Sequence, residues 1–284
     1  MADSPSHKLG QIIGDAIESA LADPLQQLCA THQLYLDQRG PRPARGKRKK
    51  VSWTDRYGNK HDLDFVIERG GSAGAVGTPT AFVEVAWRRY TKHSRNKAQE
   101  IRGALIPLAE TFGDALPFLG AVLAGVFTDG ALDQLRSRGF AVLHLPYADV
   151  VKAFSQQNLD IRFDEQTPTA TLQALVAACT ADPGKVTAAA DALLTNLQAE
   201  VDTFMKSLEA TLTRTVTQVE VTPLLGRSVA FPDPQAAQQA PLDDLQDPLT
   251  PRGFDVTVTF SNGQQLVRRL PTRGQVDALL AALP

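Results

Sequence analysis

Apolar residues recur at helical spacing through Leu9, Ile12, Ile13, Ala16, Ile17 and Leu21, which predicts a helix over about 8–22. Pro24 suits a first helical turn and opens a second helix to about His32. Residues 39–50 lose all periodicity: two prolines, two glycines and seven basic residues make a basic loop. Residues 51–69 read as extended, with a turn at Tyr57-Gly58-Asn59. Within them Leu63, Phe65 and Ile67 share one face of a strand, and Asp62 and Asp64 share the other. Residues 70–79 are a flexible glycine-rich connection, and 81–87 a short apolar strand carrying one acid, Glu84. A helix follows over 90–108, with Ser94 as N-cap. The continuous apolar run 119–127 suits a buried strand. Thr128 or Asp129 caps a helix to Arg138, which Gly139 ends. A second buried strand spans 140–145 and a short helix 148–154.

This order predicts an α/β class chain. A mixed central sheet flanked by helices fills residues 1–165, with at least one right-handed crossover. Residues 166–222 are a helical region, and 223–252 a linker rich in Pro, Gln and Asp. Two helices flank Asp182-Pro183-Gly184, and the second runs unbroken over about 186–218, with Leu193, Leu197, Val201, Phe204, Leu208 and Leu212 on one stripe. Such a helix packs along a domain or a second protomer. Residues 253–284 are a β-hairpin plus a helix, with Asn262-Gly263 read as a type I′ turn.

The net charge of −2 conceals an asymmetry. Residues 37–102 hold 16 Lys/Arg against 7 Asp/Glu, while the rest of the chain is acidic. An electropositive working surface on an acidic body points to a polyanionic partner, the plain alternative being a solvated loop. No apolar stretch approaches a membrane span, and the first residues lack a signal peptide's pattern, so a cytoplasmic protein without a membrane partner is expected. Two cysteines cannot build a disulfide scaffold.

Asp64 and Glu84 fall on neighbouring predicted strands, each interrupting an apolar run. A carboxylate there is costly unless paired or metal-bound. Two that converge make a hard-oxygen site suited to Mg²⁺, with Mn²⁺ as the alternative. Arg88, Arg89, Lys92, His93, Arg95 and Lys97 follow at once. Carboxylates backed by cations are the ingredients of metal-assisted phosphodiester hydrolysis.

At these residues the chain resembles the PD-(D/E)XK nuclease superfamily, the fold of most type II restriction endonucleases. The resemblance spans about 8–155: a leading helix with Glu18, then HDLDFVIE, a glycine-rich loop, AFVEVAW, the YTKHSRNKAQEI helix and the strand–helix–strand after it. It implies a Mg²⁺-dependent DNA endonuclease of restriction or phage-defence type. Asp64, Glu84 and the Val85 carbonyl would hold the metal, and Glu18 would join the site. Asp62 competes with Asp64 as the first acid. The family places lysine two residues after the strand acid, where this chain has Ala86. Either the site is inactive or a lysine of the next helix takes the role: Lys97, or Lys92 one turn earlier. Gln99 and Glu100 are further candidates for the same site.

Phosphate contacts are assigned to Arg45, Lys47, Arg48, Lys49 and Lys50 of the basic loop, and to Arg88, Arg89, His93 and Arg95. DNA is the implied partner, with a homodimer or a defence-system protein as the further one. Two other classes stay open: a non-cutting nuclease-fold module that binds DNA or protein, and an interaction subunit built on the long helix. The five histidines lack zinc spacing, and no Walker sequence or nucleophile elbow occurs. His144 reads as a hydrogen-bonded core residue. Trp53 and Tyr57 could stack on bases, though core packing is the commoner fate of a lone Trp.

Overall fold

The computed structural model describes residues 4–224, 226–241 and 253–283, apart from the side chains of Lys92 and His93. The chain forms two compact units, residues 1–112 with 117–209, and residues 113–116 with 210–284. Helices expected as a separate region over 166–222 therefore belong largely to the first unit, and the C-terminal unit starts well before residue 253.

Helix α1 (Pro5–Thr31) is continuous, where two helices were expected. Pro24 lies inside it, yet Leu21, Leu25 and Cys29 continue the buried stripe of Leu9, Ile13 and Ile17. Burying such a side chain contributes about 1.5–3 kcal/mol, enough over several residues to offset the ~3 kcal/mol cost of an interior proline. Strand β1 (Leu34–Gln38) was not foreseen; its only sequence signal is the alternation of Leu34 and Leu36. A single turn at Pro43–Arg45 interrupts the basic loop. Strands β2 (Val51–Thr54) and β3 (Lys60–Leu63) form their own hairpin. Strand β4 (Phe65–Arg69) starts one residue after β3 ends, so HDLDFVIE is two strands broken at Asp64. Asp62 and Asp64 consequently do not share a strand face.

Strand β5 (Thr78–Arg88) leads to α2 (Thr91–Thr111), β6 (Phe118–Gly125), α3 (Asp129–Arg136), β7 (Ala141–Pro146) and α4 (Tyr147–Gln156). Ser94 is not the N-cap of α2: Tyr90 is, and the Ser94 hydroxyl donates to the Thr91 carbonyl inside the first turn. Thr128 does cap α3, accepting from Ala131 N–H. The five strands order β1-β4-β5-β6-β7, antiparallel up to β5 and parallel after it. This is a mixed sheet flanked by helices. On β5, Phe82, Glu84 and Ala86 alternate onto one face, where Phe82 and Ala86 pack with Ala98, Ile101 and Leu105 of α2.

Helices α5 (Thr169–Ala181), α6 (Pro183–Asn196) and α7 (Gln198–Leu212) follow. The long helix expected over 186–218 breaks at Leu197 (φ −112°, ψ 32°), and its last residues are strand. The apolar stripe survives the break: Leu193, Val201, Phe204, Leu208 and Leu212 are all buried, which is why periodicity alone did not show it. Asp182 caps α6 with Pro183 in its first turn.

In the second unit, β8 (Val216–Pro223), β9 (Val229–Phe231), α8 (Pro234–Gln239), β10 (Phe254–Phe260), β11 (Gln265–Leu270) and α9 (Arg273–Ala281) build a four-stranded antiparallel sheet ordered β11-β10-β8-β9. The expected linker is thus partly structured; its residues 242–252 lie outside the described set. The hairpin turn is not type I′, because φ is positive at Gly263 but not at Asn262. Gly263 N–H donates to Phe260 and Phe260 N–H to Gln264, a three-residue loop with glycine in the left-handed position.

Candidate active site

The β4–β5 ladder makes its last pair at Phe65 and Val83. Beyond it the two strands part, and side chains take over from backbone pairing. Asp64 N–H donates to Glu84 Oε1 at 3.3 Å, and Val85 N–H donates to Asp64 Oδ2 at 2.7 Å. An extended residue directs its N–H and C=O to the same edge, so the Val85 carbonyl faces this gap as well. Glu84 is 7% exposed. Burial pushes its carboxyl up to about 8, the Asp64 charge adds to the rise, and Lys97 opposes it. Burial also raises Asp64, against the Val85 N–H, Lys97 and Arg39.

Two further groups converge from the flanking helices. Glu18 on α1 is raised to about 7, first by burial and then by the charges of Asp64 and Asp15. Lys97 on α2 is largely covered and lies 3.8 Å from Glu100. Glu18, Val85, Ala86 and Lys97 line one cleft of about 420 Å³. Ala86, 4% exposed, sits between that cleft and the core, so the cation here comes from the helix rather than the strand.

A divalent metal fits this donor set. A buried carboxylate, a half-buried one and a strand carbonyl are hard oxygen donors, and Mg²⁺ commonly uses one or two carboxylates and fills its remaining positions with water and phosphate. Among the described residues no group of three or more His, Cys, Asp or Glu is arranged to hold a metal ion.

Of the two candidate first acids, the structure brings Asp64 to Glu84. Asp62 faces the hairpin instead, accepting from Lys50 Nζ at 2.6 Å and Ser52 Oγ at 2.5 Å. Lys92 and His93 side chains lie outside the described residues. Gln99 and Glu100 are exposed.

The basic loop divides. Lys47, Arg48 and Lys49 point outward, and Lys50 is exposed beside Asp62. Arg45 does not match its assignment as a phosphate contact. Its guanidinium turns inward onto Asp37 at 3.0 Å and onto the Gln38 and Gly40 carbonyls. Arg42, which sequence reasoning passed over, is 2% exposed and holds both oxygens of Glu68 at 2.6 and 2.9 Å, Asp37 at 2.9 Å, and the Ser72 and Ala75 carbonyls. Gly77 N–H completes the Glu68 shell at 2.7 Å. A Cβ on Gly77 would lie 2.4 Å from the Arg69 carbonyl, so glycine is required there for close approach. The glycine-rich segment is therefore a fitted cover over a buried ion cluster rather than a flexible connection. The signal was present in Glu68, an acid that follows directly on the apolar run Phe65-Val66-Ile67.

Arg89 likewise faces inward. Its Nε donates to the Phe163 carbonyl at 2.7 Å, and its guanidinium lies 4.0 Å over the Tyr147 ring, so it braces aromatics instead of waiting for phosphate. Arg88 donates to the Trp87 carbonyl, and Arg95 is exposed. Trp53 packs edge-on against Phe82 and Phe112 in the core, while Tyr57 is 64% exposed with Arg56 over its ring. His144 is a half-buried strand residue bonded to the Gly125 carbonyl.

Fold and site together define an α/β chain whose mixed five-stranded sheet carries an acidic pair, one member buried and one half-buried, at a strand break, with a helical lysine charge acting on both. No family model matches this chain, and neither a curated protein nor a solved structure matches it. Among the described residues, no helix is long and apolar enough to cross a membrane.

Proposed function

We propose that the chain is a Mg²⁺-dependent DNA endonuclease with a PD-(D/E)XK-like core, of restriction or phage-defence type. The observation that carries this reading is the Asp64–Glu84 pair. A buried carboxylate, Glu84, and a half-buried one, Asp64, are joined through backbone amides where β4 and β5 part, and the Lys97 charge acts on both. A buried acidic pair without a structural arginine is expensive, and a divalent cation removes that cost. Here Arg42 serves Glu68 and Asp37, and no arginine serves Asp64 or Glu84 among the described hydrogen bonds.

Asp64, Glu84 and the Val85 carbonyl would hold Mg²⁺ or Mn²⁺. The ion, when bound, polarises the phosphoryl oxygen and lowers the pKa of its water. Lys97 stabilises charge developing on the phosphate, the role that Ala86 leaves open on the strand. Glu18, raised to about 7, can hold or release a proton at the mouth of the same cleft near neutral pH. Lys47, Arg48, Lys49 and Arg95 grip the DNA backbone and position it without reading sequence. The cytoplasm, with a second copy or a defence-system protein as partner, is the setting this reading proposes.

The test is incubation with plasmid and phage DNA, with and without Mg²⁺. Discrete bands indicate a sequence-specific enzyme and a smear a nonspecific one. Asp64→Ala and Glu84→Ala are each expected to abolish cleavage while DNA binding stays within about tenfold. Full activity in either variant refutes the site. Ala86 favours a second reading, a module that binds DNA without cutting. That reading holds if the purified protein binds DNA yet leaves it intact with both Mg²⁺ and Mn²⁺.

A further inference from the structure

The β1–β4 ladder ends at the pair Gln38 and Phe65, and the β4–β5 ladder at Phe65 and Val83. One residue further along, the same antiparallel register sets Arg39 opposite Asp64 and Asp64 opposite Glu84. The hydrogen bonds that join Asp64 to Glu84 and Val85 agree with the second of these pairings. Three neighbouring strands thus deliver one cation and two acids to the same level of the sheet. Glu18 lines both the cleft of about 420 Å³ that holds Lys97 and a second cleft, of about 240 Å³, that holds Arg39 with Asp15 and Phe65. The Arg39 charge opposes the rise that burial imposes on Asp64 and Glu18. Its state differs from that of the arginines that follow it. Arg42 and Arg45 are held by carboxylates and carbonyls. Arg39 is 69% exposed, and its one ion pair among the described residues is with the equally exposed Asp15, at 4.0 Å. So long and exposed a contact contributes little to stability. The fold leaves a guanidinium beside the acidic pair without using it as a brace.

We infer that Arg39 binds the phosphate that a divalent cation brings to the Asp64–Glu84 pair, with both arms of its guanidinium on the non-bridging oxygens. The inference rests on the endonuclease reading and assigns that site a further residue in contact with the substrate. A guanidinium meets a phosphate through two parallel hydrogen bonds in one plane, whereas a lysine is a point charge. Lys97 supplies the point charge and Arg39 the fork. Two carboxylates without a cation repel a phosphate, so this contact forms only when a divalent ion is present. That dependence separates Arg39 from Lys47, Arg48 and Lys49, whose grip on the DNA backbone needs no metal.

The experiment uses the full chain and a fluorescent DNA duplex, with affinity measured in EDTA and in Ca²⁺, a hard cation of the same oxygen preference. Arg39→Met is expected to weaken binding in Ca²⁺ by roughly ten- to a hundredfold, the scale of a lost charge-assisted contact. In EDTA its affinity should change little, and its melting temperature should match wild type. Arg39→Lys keeps the charge and loses the fork, so its affinity in Ca²⁺ should fall between the two. Lys47→Met should weaken binding alike in both conditions. In a Glu84→Gln background, which removes a metal ligand, the loss caused by Arg39→Met should vanish. An equal loss with and without Ca²⁺ makes Arg39 one more backbone contact and overturns the inference. So does no loss in either condition, or a loss that persists in Glu84→Gln. Binding is read apart from cutting, so the two readings fail separately. A Ca²⁺-dependent Arg39 loss in a protein that cuts nothing in Mg²⁺ or Mn²⁺ overturns the endonuclease and keeps the phosphate contact. Cleavage by Arg39→Met with wild-type rate and affinity overturns the contact and keeps the endonuclease.

Discussion

Replacing Arg42 by methionine is expected to destabilise the first unit by about 3–5 kcal/mol, the usual cost of removing one partner from a buried ion pair. The side chain is 2% exposed and Glu68 0%, so water cannot stand in for the lost donor. Methionine fills much of the arginine stem but donates nothing. Glu68 would keep the Gly77 N–H, Asp37 would keep Arg45, and the Ser72 and Ala75 carbonyls would each lose the Arg42 donor. For a unit of this size, 1 kcal/mol moves the melting temperature by roughly 2–4 °C, so the fall should be about 6–20 °C. Lys50→Met is the matched control. It breaks an ion pair in the same loop, but the partners are 72% and 49% exposed, and the expected cost is about 0–1 kcal/mol. Urea unfolding followed by tryptophan fluorescence reads this unit alone, since the chain's two tryptophans, Trp53 and Trp87, both lie in it. In the double variant Arg42→Met/Glu68→Gln the stranded charge is gone, and part of the stability should return. Equal shifts for Arg42→Met and Lys50→Met would refute the argument that burial gives this network its weight.

Lys97→Ala should lower the cleavage rate by ~10²–10³ with little change in DNA binding, as expected for a cation acting on the transition state; normal cutting by this variant removes Lys97 from the role. Neutralising Lys47, Arg48 and Lys49 together should weaken binding to all DNA sequences alike and flatten the log–log salt dependence by up to about 0.9 per lost phosphate contact; an unchanged slope makes the loop tip a solvated face. The fold raises Glu84 from 4.5 to about 8 and raises Asp64 and Glu18 as well, so between those pH values the folded chain keeps protons that the unfolded chain has released. Stability of the metal-free protein should therefore fall as pH rises from 5 to 8, and Mg²⁺ should restore more of it at pH 8 than at pH 5. A melting temperature that is flat across this range in both wild type and Glu84→Gln would contradict the raised carboxyls.

The sheet was legible because its strands differ in how they are buried. The run 119–127 read as a buried strand because a parallel strand lies under helices on both faces, and Phe118–Gly125 is buried at every position, whereas the second expected buried strand is the sheet edge Ala141–Pro146, where only Leu143 and Leu145 are buried. The acidic pair was legible for the opposite reason: Asp64 and Glu84 interrupt apolar runs, and a carboxylate in such a place must have a purpose. Breaks that leave a pattern intact were invisible. The strand pattern Leu63, Phe65, Ile67 runs straight through the gap at Asp64, and the apolar stripe runs straight through Leu197.

Charge was the least legible quantity, because a count of lysines and arginines does not say which way they point. Arg42 and Arg45 turn inward because Glu68 and Asp37 wait for them, and the Arg42–Glu68 pair is 26 residues apart in sequence. Arg89 turns inward because aromatic rings and a carbonyl surround it. Of the seven basic residues in 39–50, Arg39 is 69% exposed beside Asp15 at 4.0 Å, Lys50 is engaged by Asp62, and three stand at the loop tip without such a partner among the described ion pairs. The electropositive surface is accordingly narrower than the excess of basic residues over 37–102 implies. Apart from Arg39, the exposed cations left to meet a polyanion under the proposed function are Lys47, Arg48, Lys49 and Arg95, and Arg42 and Arg45 would act on it only by holding the loop that presents the first three.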